Sequence, residues 1–403
     1  MLFILQLERS YENKATSNPS DPPSLNGKWL SCSYKFKRVN VMKDNSLLNN
    51  AYDRNKFTLA NEAIWERIAK VKGEPFIEYR KLLKQAEQGE VLTAFPVEVF
   101  IKTTFNCNHR CPRCPHGTGV APRGKAYDMK FDTLKKVLDE GSLHGLQSVV
   151  FTGGEPTLHR QFIDFIKYAA SKNFPDISII TNGSLLTEKI IDAILDNGIT
   201  RINISFDSIS ESTYKKVRGV DDYSNVIKNI NRLLEKRSLR GSVLPLLSLS
   251  FVLAEDNASE LDGFIEMWHE KADGGIKIYP YKNLYSIVTD DAYSSIYGKG
   301  KVKPSELHED LLPVNLSRDL AIMEKYTIQC TIPWYRCHVG IDGDIQACTT
   351  LGFCEHPEMV MGNIHEMSFQ DAWNSDRWRA LREITLAGKY DKHPVCNMCQ
   401  KSV

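Results

Sequence analysis

The chain lacks a charge excess: 51 Lys and Arg stand against 50 Asp and Glu over 403 residues, a formal net charge of +1. That balance excludes the electrostatic footprint of a nucleic-acid binder or of a protein held on an anionic membrane. No apolar run reaches membrane length. The opening Met1-Leu-Phe-Ile-Leu-Gln-Leu7 meets Glu8 and Arg9 at once, lacks a basic leading segment and is too short for a secretory core. It reads as a stray strand or tail. Also missing is the even cysteine spacing of a small disulfide scaffold. Of ten cysteines, three fall within 107–114, six lie between Cys330 and Cys399, and Cys32 stands alone. Such clustering reads as metal ligation in a reducing compartment, so a cytoplasmic protein with no nucleic-acid or membrane partner is expected.

Residues 10–55 are rich in Asn, Ser, Pro and Lys without a sustained period, so 1–56 is expected to be a poorly ordered leader. Apolar positions from Thr58 to Gln88 predict two short helices broken near Gly73, an N-terminal helical segment over 57–95. From 97 to 280 the pattern alternates. Strands are predicted at 97–102, 147–152, 176–181, 200–206, 246–253 and 276–280. Amphipathic helices are predicted near 131–143, 160–173, 187–197, 224–236 and 258–272. Repeated βα units give an α/β fold with a parallel sheet. Six strands fall short of a closed eight-stranded barrel, so an open, partial (β/α)6 barrel over 96–285 is preferred to a flat doubly wound sheet. Residues 286–329 connect this core to a distinct tail, 330–403. There, Asp342-Gly343 marks a hairpin turn and Ser368 with Asp371 caps a helix.

The chemistry gathers in Cys107-Asn-His-Arg-Cys111-Pro-Arg-Cys114, on the loop leaving the first predicted strand. A four-iron cluster needs four ligands, and this run supplies three thiolates, leaving one iron open. A zinc knuckle is the alternative, although zinc sites usually add a second ligand pair. About forty residues on, Thr152-Gly-Gly-Glu-Pro156 ends the second strand. Its glycines would let backbone approach a ligand closely, and Glu155 offers a carboxylate.

Together, these two motifs resemble those of radical S-adenosylmethionine (radical SAM) enzymes, over roughly 97–280. The resemblance implies that Cys107, Cys111 and Cys114 hold a [4Fe–4S] cluster whose open iron binds S-adenosylmethionine. Reductive cleavage would then give a 5′-deoxyadenosyl radical, with electrons from an external donor of flavodoxin or ferredoxin type. It further implies cofactor contacts. Gly153, Gly154 and Glu155 would face the methionyl amino group, with Thr181 and Asn182 on the same rim. Ser205 and Asp207 would meet the ribose, and Arg218 the methionyl carboxylate, unless it is a solvated surface arginine. Many relatives carry an aromatic residue just before the third cysteine. This chain has Arg113, so side-chain stacking of that kind on the adenine is lost.

In the tail, Cys330, Cys348, Cys396 and Cys399 resemble the ligands of a C-terminal SPASM/twitch extension. With no further cysteine after Cys399, one auxiliary [4Fe–4S] cluster is expected. Cys337 and Cys354 compete for its ligand positions, zinc is an alternative for the whole set, and Cys32 is read as incidental. A single auxiliary cluster resembles that of the enzyme class oxidising an aminocyclitol alcohol. The expectation is therefore an oxidoreductase-type enzyme oxidising or epimerising a small sugar-like molecule. Competing readings are a ribosomal peptide maturase and a non-catalytic zinc module.

Overall fold

The computed structural model describes residues 3–8, 35–40, 64–118, 124–280, 330–348 and 356–401. Strands β1 (Phe3–Glu8) and β2 (Lys35–Asn40) pair antiparallel as a separate ribbon. The first bears out a strand in the opening apolar run, and the second falls inside the stretch read as an unpatterned leader. Cys32, Cys354 and the connection 286–329 lie outside the described residues. A helix over 64–72 and another at Glu74–Glu87 are broken at Gly73, whose φ of 73° few other residues adopt.

The core sheet contains β3 (Glu98–Lys102), β4 (Ser148–Thr152), β5 (Asp176–Thr181), β6 (Arg201–Ser205), β7 (Leu246–Leu253) and β8 (Ile276–Pro280). These six are parallel and neighbour one another in chain order. A doubly wound sheet reverses its strand order at a switch point, and this one does not. The helices Phe131–His144, Phe162–Ser171, Glu188–Asp196, Tyr223–Leu239 and Leu261–Trp268 fill the crossovers as the periodicity predicts. A further helix, Glu211–Arg218, precedes Tyr223–Leu239 and was not anticipated. Its eight residues offer only Tyr214 and Val217 as apolar positions, too few to display a period. Its Ser210 cap and its terminator Gly219 were the readable signs.

The tail extends this sheet. Strand β9 (Arg336–Val339) runs parallel to β3, and β10 (Asp344–Gln346) and β11 (Val360–Asn363) follow antiparallel. The nine-stranded order runs from β11 through β9, β3 and onward to β8, an open partial barrel with a C-terminal extension. The hairpin at Asp342-Gly343 is present. The helix expected from Ser368 is two, Phe369–Trp373 and Asp376–Leu386, because Ser375 starts a second cap by accepting from the Trp378 N–H.

The two faces of the sheet differ in kind. Val99, Ile101, Val149, Phe151, Ile177, Ile179, Ile202, Ile204, Leu247 and Leu249 face the helices and share one core with them. Each such side chain contributes roughly 1.5–3 kcal/mol by leaving water. On the opposite, lumen side stand Glu98, Lys102, Ser148, Asp176, Ser178, Asn203, Ser248, Ser250, His338 and Gln346, all buried. Barrel interiors are usually filled with branched aliphatics, so this polar lumen is a departure. Its floor is closed by ion pairs. Arg336 meets Glu98 at 2.8 Å, Arg201 pairs with Asp176, and Tyr79 donates to Glu98 at 2.6 Å.

Candidate functional site

At the C-terminal ends of the parallel strands, a cavity of about 450 Å³ is lined by Cys107, Cys111 and Cys114 on the loop after β3. Gly153, Gly154 and Glu155 after β4 line it too. So do Thr181 and Asn182 at the end of β5, Ser205 and Asp207 at the end of β6, and Arg218. Every core residue singled out from the sequence therefore meets in one place, of a size that suits a small-molecule cofactor.

The loop is docked by backbone contact. The Gly154 N–H donates to the Thr104 carbonyl and the Glu155 N–H to the Asn106 carbonyl, both at 2.7 Å. A Cβ on Gly153 would meet the Thr104 oxygen at 2.6 Å, and one on Gly154 would overlap the Asn106 carbonyl. The glycines thus admit the cysteine loop itself, while both also line the cavity. On the far side the Arg110 N–H donates to the Arg218 carbonyl at 3.1 Å, and a Cβ on Gly219 would overlap the Arg110 carbonyl.

Glu155 is almost wholly buried and braces its own turn against the end of β5. Its Oε1 accepts from the Thr157 N–H at 3.1 Å, the Thr157 hydroxyl at 2.5 Å and the Thr181 hydroxyl at 2.6 Å; its Oε2 accepts from the Asn182 N–H at 2.7 Å. Burial raises its pKa, and these hydrogen bonds pull back against that rise. Asn182 in turn donates to the Asn108 side chain at 2.8 Å and approaches the Cys107 Sγ at 4.0 Å.

Arg218 is buried, which corrects the alternative of a solvated surface arginine. Its guanidinium lies 2.9 Å from Asp207 Oδ2 and donates to the Cys111 Sγ at 3.8 Å. Burial opposes its charge, but Asp207 and then Cys111 outweigh that, and its pKa is raised. Asp207 sits at φ 66°, uncommon for a residue with a side chain, and its Oδ1 accepts from the Val252 N–H at 2.7 Å. Arg113 lines the cavity and pairs with Asp256 at 2.8 Å.

The thiols are crowded. Burial, then Glu155 and Cys114, push Cys107 up to about 12; burial and Cys111 push Cys114 up to about 11. Thiols so placed ionise only beside strong positive charge, which iron supplies. The donor set fits a cluster on this wall.

In the tail, the Cys396 thiol is raised by burial and by the nearby Cys348, Cys330 and Cys399. Cys396 and Cys399 share one face of the helix Pro394–Lys401. The Tyr390 hydroxyl accepts from the Cys330 N–H at 2.8 Å. Cys337 is elsewhere: it is fully buried on β9 within the apolar core, beside Arg382.

Sequence reasoning missed His109 and Asn108. His109 is buried inside the cysteine loop, edge-on to Tyr214 with ring centroids 6.0 Å apart. Asn108 donates to Ser184 at 2.6 Å. Their only sign was a place between the cysteines of the loop.

Residues 101–267 match the family profile described as the Radical SAM superfamily, and residues 330–400 match an iron–sulfur cluster-binding domain, SPASM. A Clostridium botulinum protein named GTP 3',8-cyclase is 28% identical over 233 residues, 56% of this chain and 68% of that one. A probable GTP 3',8-cyclase of Saccharolobus islandicus is 34% identical over 167 residues, 41% of this chain and 51% of its own, so about half of that relative is spanned. Among solved structures, Streptococcus suis SuiB bound to precursor peptide SuiA aligns with a TM-score of 0.53 at 15% identity. The alignment covers 85% of this chain and 75% of SuiB, a likeness of fold.

Proposed function

From a chain that belongs to the radical SAM superfamily and carries a SPASM cluster-binding domain, we propose an enzyme that abstracts hydrogen from a small polar substrate held in the barrel lumen, for oxidation or epimerisation. The observation that carries this reading is the single cavity shared by the three loop cysteines and the strand-end residues, set above a polar lumen. Cys107, Cys111 and Cys114 would hold a [4Fe–4S] cluster, and Cys330, Cys348, Cys396 and Cys399 an auxiliary one. With S-adenosylmethionine bound, such a cluster would supply the electron for its reductive cleavage, drawn from a low-potential donor.

The protein's own part is placement. Glu155 ties the ends of β4 and β5 together, so the cavity wall beside Cys107 is braced before any ligand enters. Asp207 holds the Arg218 guanidinium against the cysteine loop, where a cation suits both thiolate and a ligand carboxylate. The polar lumen accommodates hydroxyl-bearing molecules better than apolar ones. Four protein thiolates leave no open iron in the auxiliary site, which suits accepting an electron from substrate.

Protein reconstituted without oxygen is expected to be brown, to hold about eight irons per chain, and to release 5′-deoxyadenosine when reduced with dithionite. Cys107→Ala should abolish the release and halve the iron; Cys399→Ala should reduce iron while sparing uncoupled cleavage. Colourless, zinc-rich protein without cleavage would reject the reading. Production of a cyclised nucleotide from GTP would replace the substrate assignment with the activity for which the curated relatives are named.

A further inference from the structure

Asp207 and Arg218 reach the cavity from two different elements, and a third element holds both. That element is the end of β7 and the turn after it, residues 252–260. Asp207 is one of two non-glycine residues at positive φ among the described residues. A backbone held there persists only where its surroundings fix it. The Asn257 Nδ2 donates to the Asp207 carbonyl and to the Val252 carbonyl, both at 3.0 Å, and its Oδ1 accepts from the Ala254 N–H at 2.8 Å. Asn257 is only 1% exposed, and its one amide meets two acceptors and one donor. A carboxylate of the same shape would set oxygen against two carbonyls, so the residue type follows from the partners.

Glu260, in the same turn, holds the other end. Its N–H donates to the Asn257 carbonyl at 3.0 Å. Its Oε2 accepts from the Ile209 N–H at 2.7 Å and its Oε1 from the Ser210 hydroxyl at 2.6 Å. Burial works to raise its pKa, but the bonds from Ser210, Thr213 and Ile209 outweigh that and hold it below the ordinary value. Ser210 is the N-cap of Glu211–Arg218, accepting from the Thr213 N–H at 3.3 Å. The helix ends in Arg218, whose guanidinium returns to Asp207 at 2.9 Å. Asn257 and Glu260 thus fix the segment 207–210 that sets where the two members of this ion pair stand. Asp256, beside Asn257, pairs with Arg113 of the cysteine loop at 2.8 Å, so the turn also meets a second wall of the cavity.

We propose that Asn257 and Glu260 are positioning residues, which hold the Asp207–Arg218 ion pair where bound S-adenosylmethionine meets it. This rests on the reading that the cavity takes that cofactor. It adds that two side chains outside the cavity lining govern cofactor affinity through the backbone they hold.

The test uses anaerobically reconstituted holoenzyme and equilibrium dialysis of radiolabelled S-adenosylmethionine. Asn257→Asp and Glu260→Ala should each weaken binding about tenfold, the effect of one lost hydrogen-bonding partner. Iron should stay near about eight per chain. A double-mutant cycle separates positioning from a general loss of structure. Arg218→Gln alone should weaken binding, and adding Asn257→Asp or Glu260→Ala to it should weaken binding by no more than about a further twofold, because the group they position is already gone.

Wild-type affinity in both single variants would overturn the proposal. So would an undiminished loss of about tenfold in the Arg218→Gln background, since the residues would then act independently of Arg218. Iron lost from both variants would do so as well, by making the turn a support of the fold alone; if one variant loses iron, the cycle on the other decides. Failure of the wild type to bind S-adenosylmethionine would reject the enzyme reading and the proposal with it, whereas failure of the cycle rejects the proposal alone.

Discussion

Glu155 binds four donors, two from Thr157 in its own turn and two from Thr181 and Asn182 at the end of β5, and burial raises its pKa against their pull. Glu155→Gln keeps the shape but turns an amide N–H toward at least one donor. The expected cost is about 1–3 kcal/mol, read as a lower unfolding temperature, with weaker retention of iron at the cysteine loop. Lys277, on the lumen face of β8, carries a second signature. Burial first, and then Arg201, lower its pKa to about 8. Between that value and the unfolded lysine's pKa of about 10.4, the unfolded chain binds the extra proton, so this residue makes stability climb as pH rises through the window. Lys277→Met should raise stability at pH 7 by on the order of 2 kcal/mol and flatten that climb, measured as unfolding midpoints of both proteins from pH 7 to 10.5. The cysteines and Glu155 were legible in the sequence as a pattern. The bracing by Thr157, Thr181 and Asn182 was not, because the partners meet only when separate strand ends converge.

At the scale of elements, the cysteine loop is clamped between two glycine turns, Gly153-Gly154 on one side and Gly219 on the other. Both exist because backbone passes against backbone with no room for a side chain. Gly219→Val, at φ 68° and against the Arg110 carbonyl, should displace the loop from the helix Glu211–Arg218. The expected result is iron near four per chain, retained in the C-terminal domain, with cleavage of S-adenosylmethionine lost; eight irons with normal cleavage would show that the loop docks without this contact. The helices and strands themselves were readable to within a few residues wherever the period was long. Glu211–Arg218 escaped because two apolar positions in eight residues carry no readable stripe, although it delivers Arg218 to the site.

For the whole molecule, alternation of β and α segments was enough to derive an open barrel, and the strand order in the sheet agrees with it. The position of the tail was not derivable. Its hairpin could have formed a detached lobe, but β9 joins the edge of β3, placing His338 on β9 and Gln346 on β10 on the lumen face. Nothing in either strand's local pattern names its partner, since parallel pairing is satisfied by any strand of suitable length and polarity. That pairing has a consequence during synthesis. Strand β3 is made early, yet the segment that covers its outer edge, beginning at Arg336, is translated more than two hundred residues later. Through that interval a nascent chain exposes an uncapped row of amides and carbonyls, the kind of edge that recruits neighbouring chains. Ribosome-bound intermediates halted before Arg336 should therefore depend on chaperones more heavily than the finished protein does.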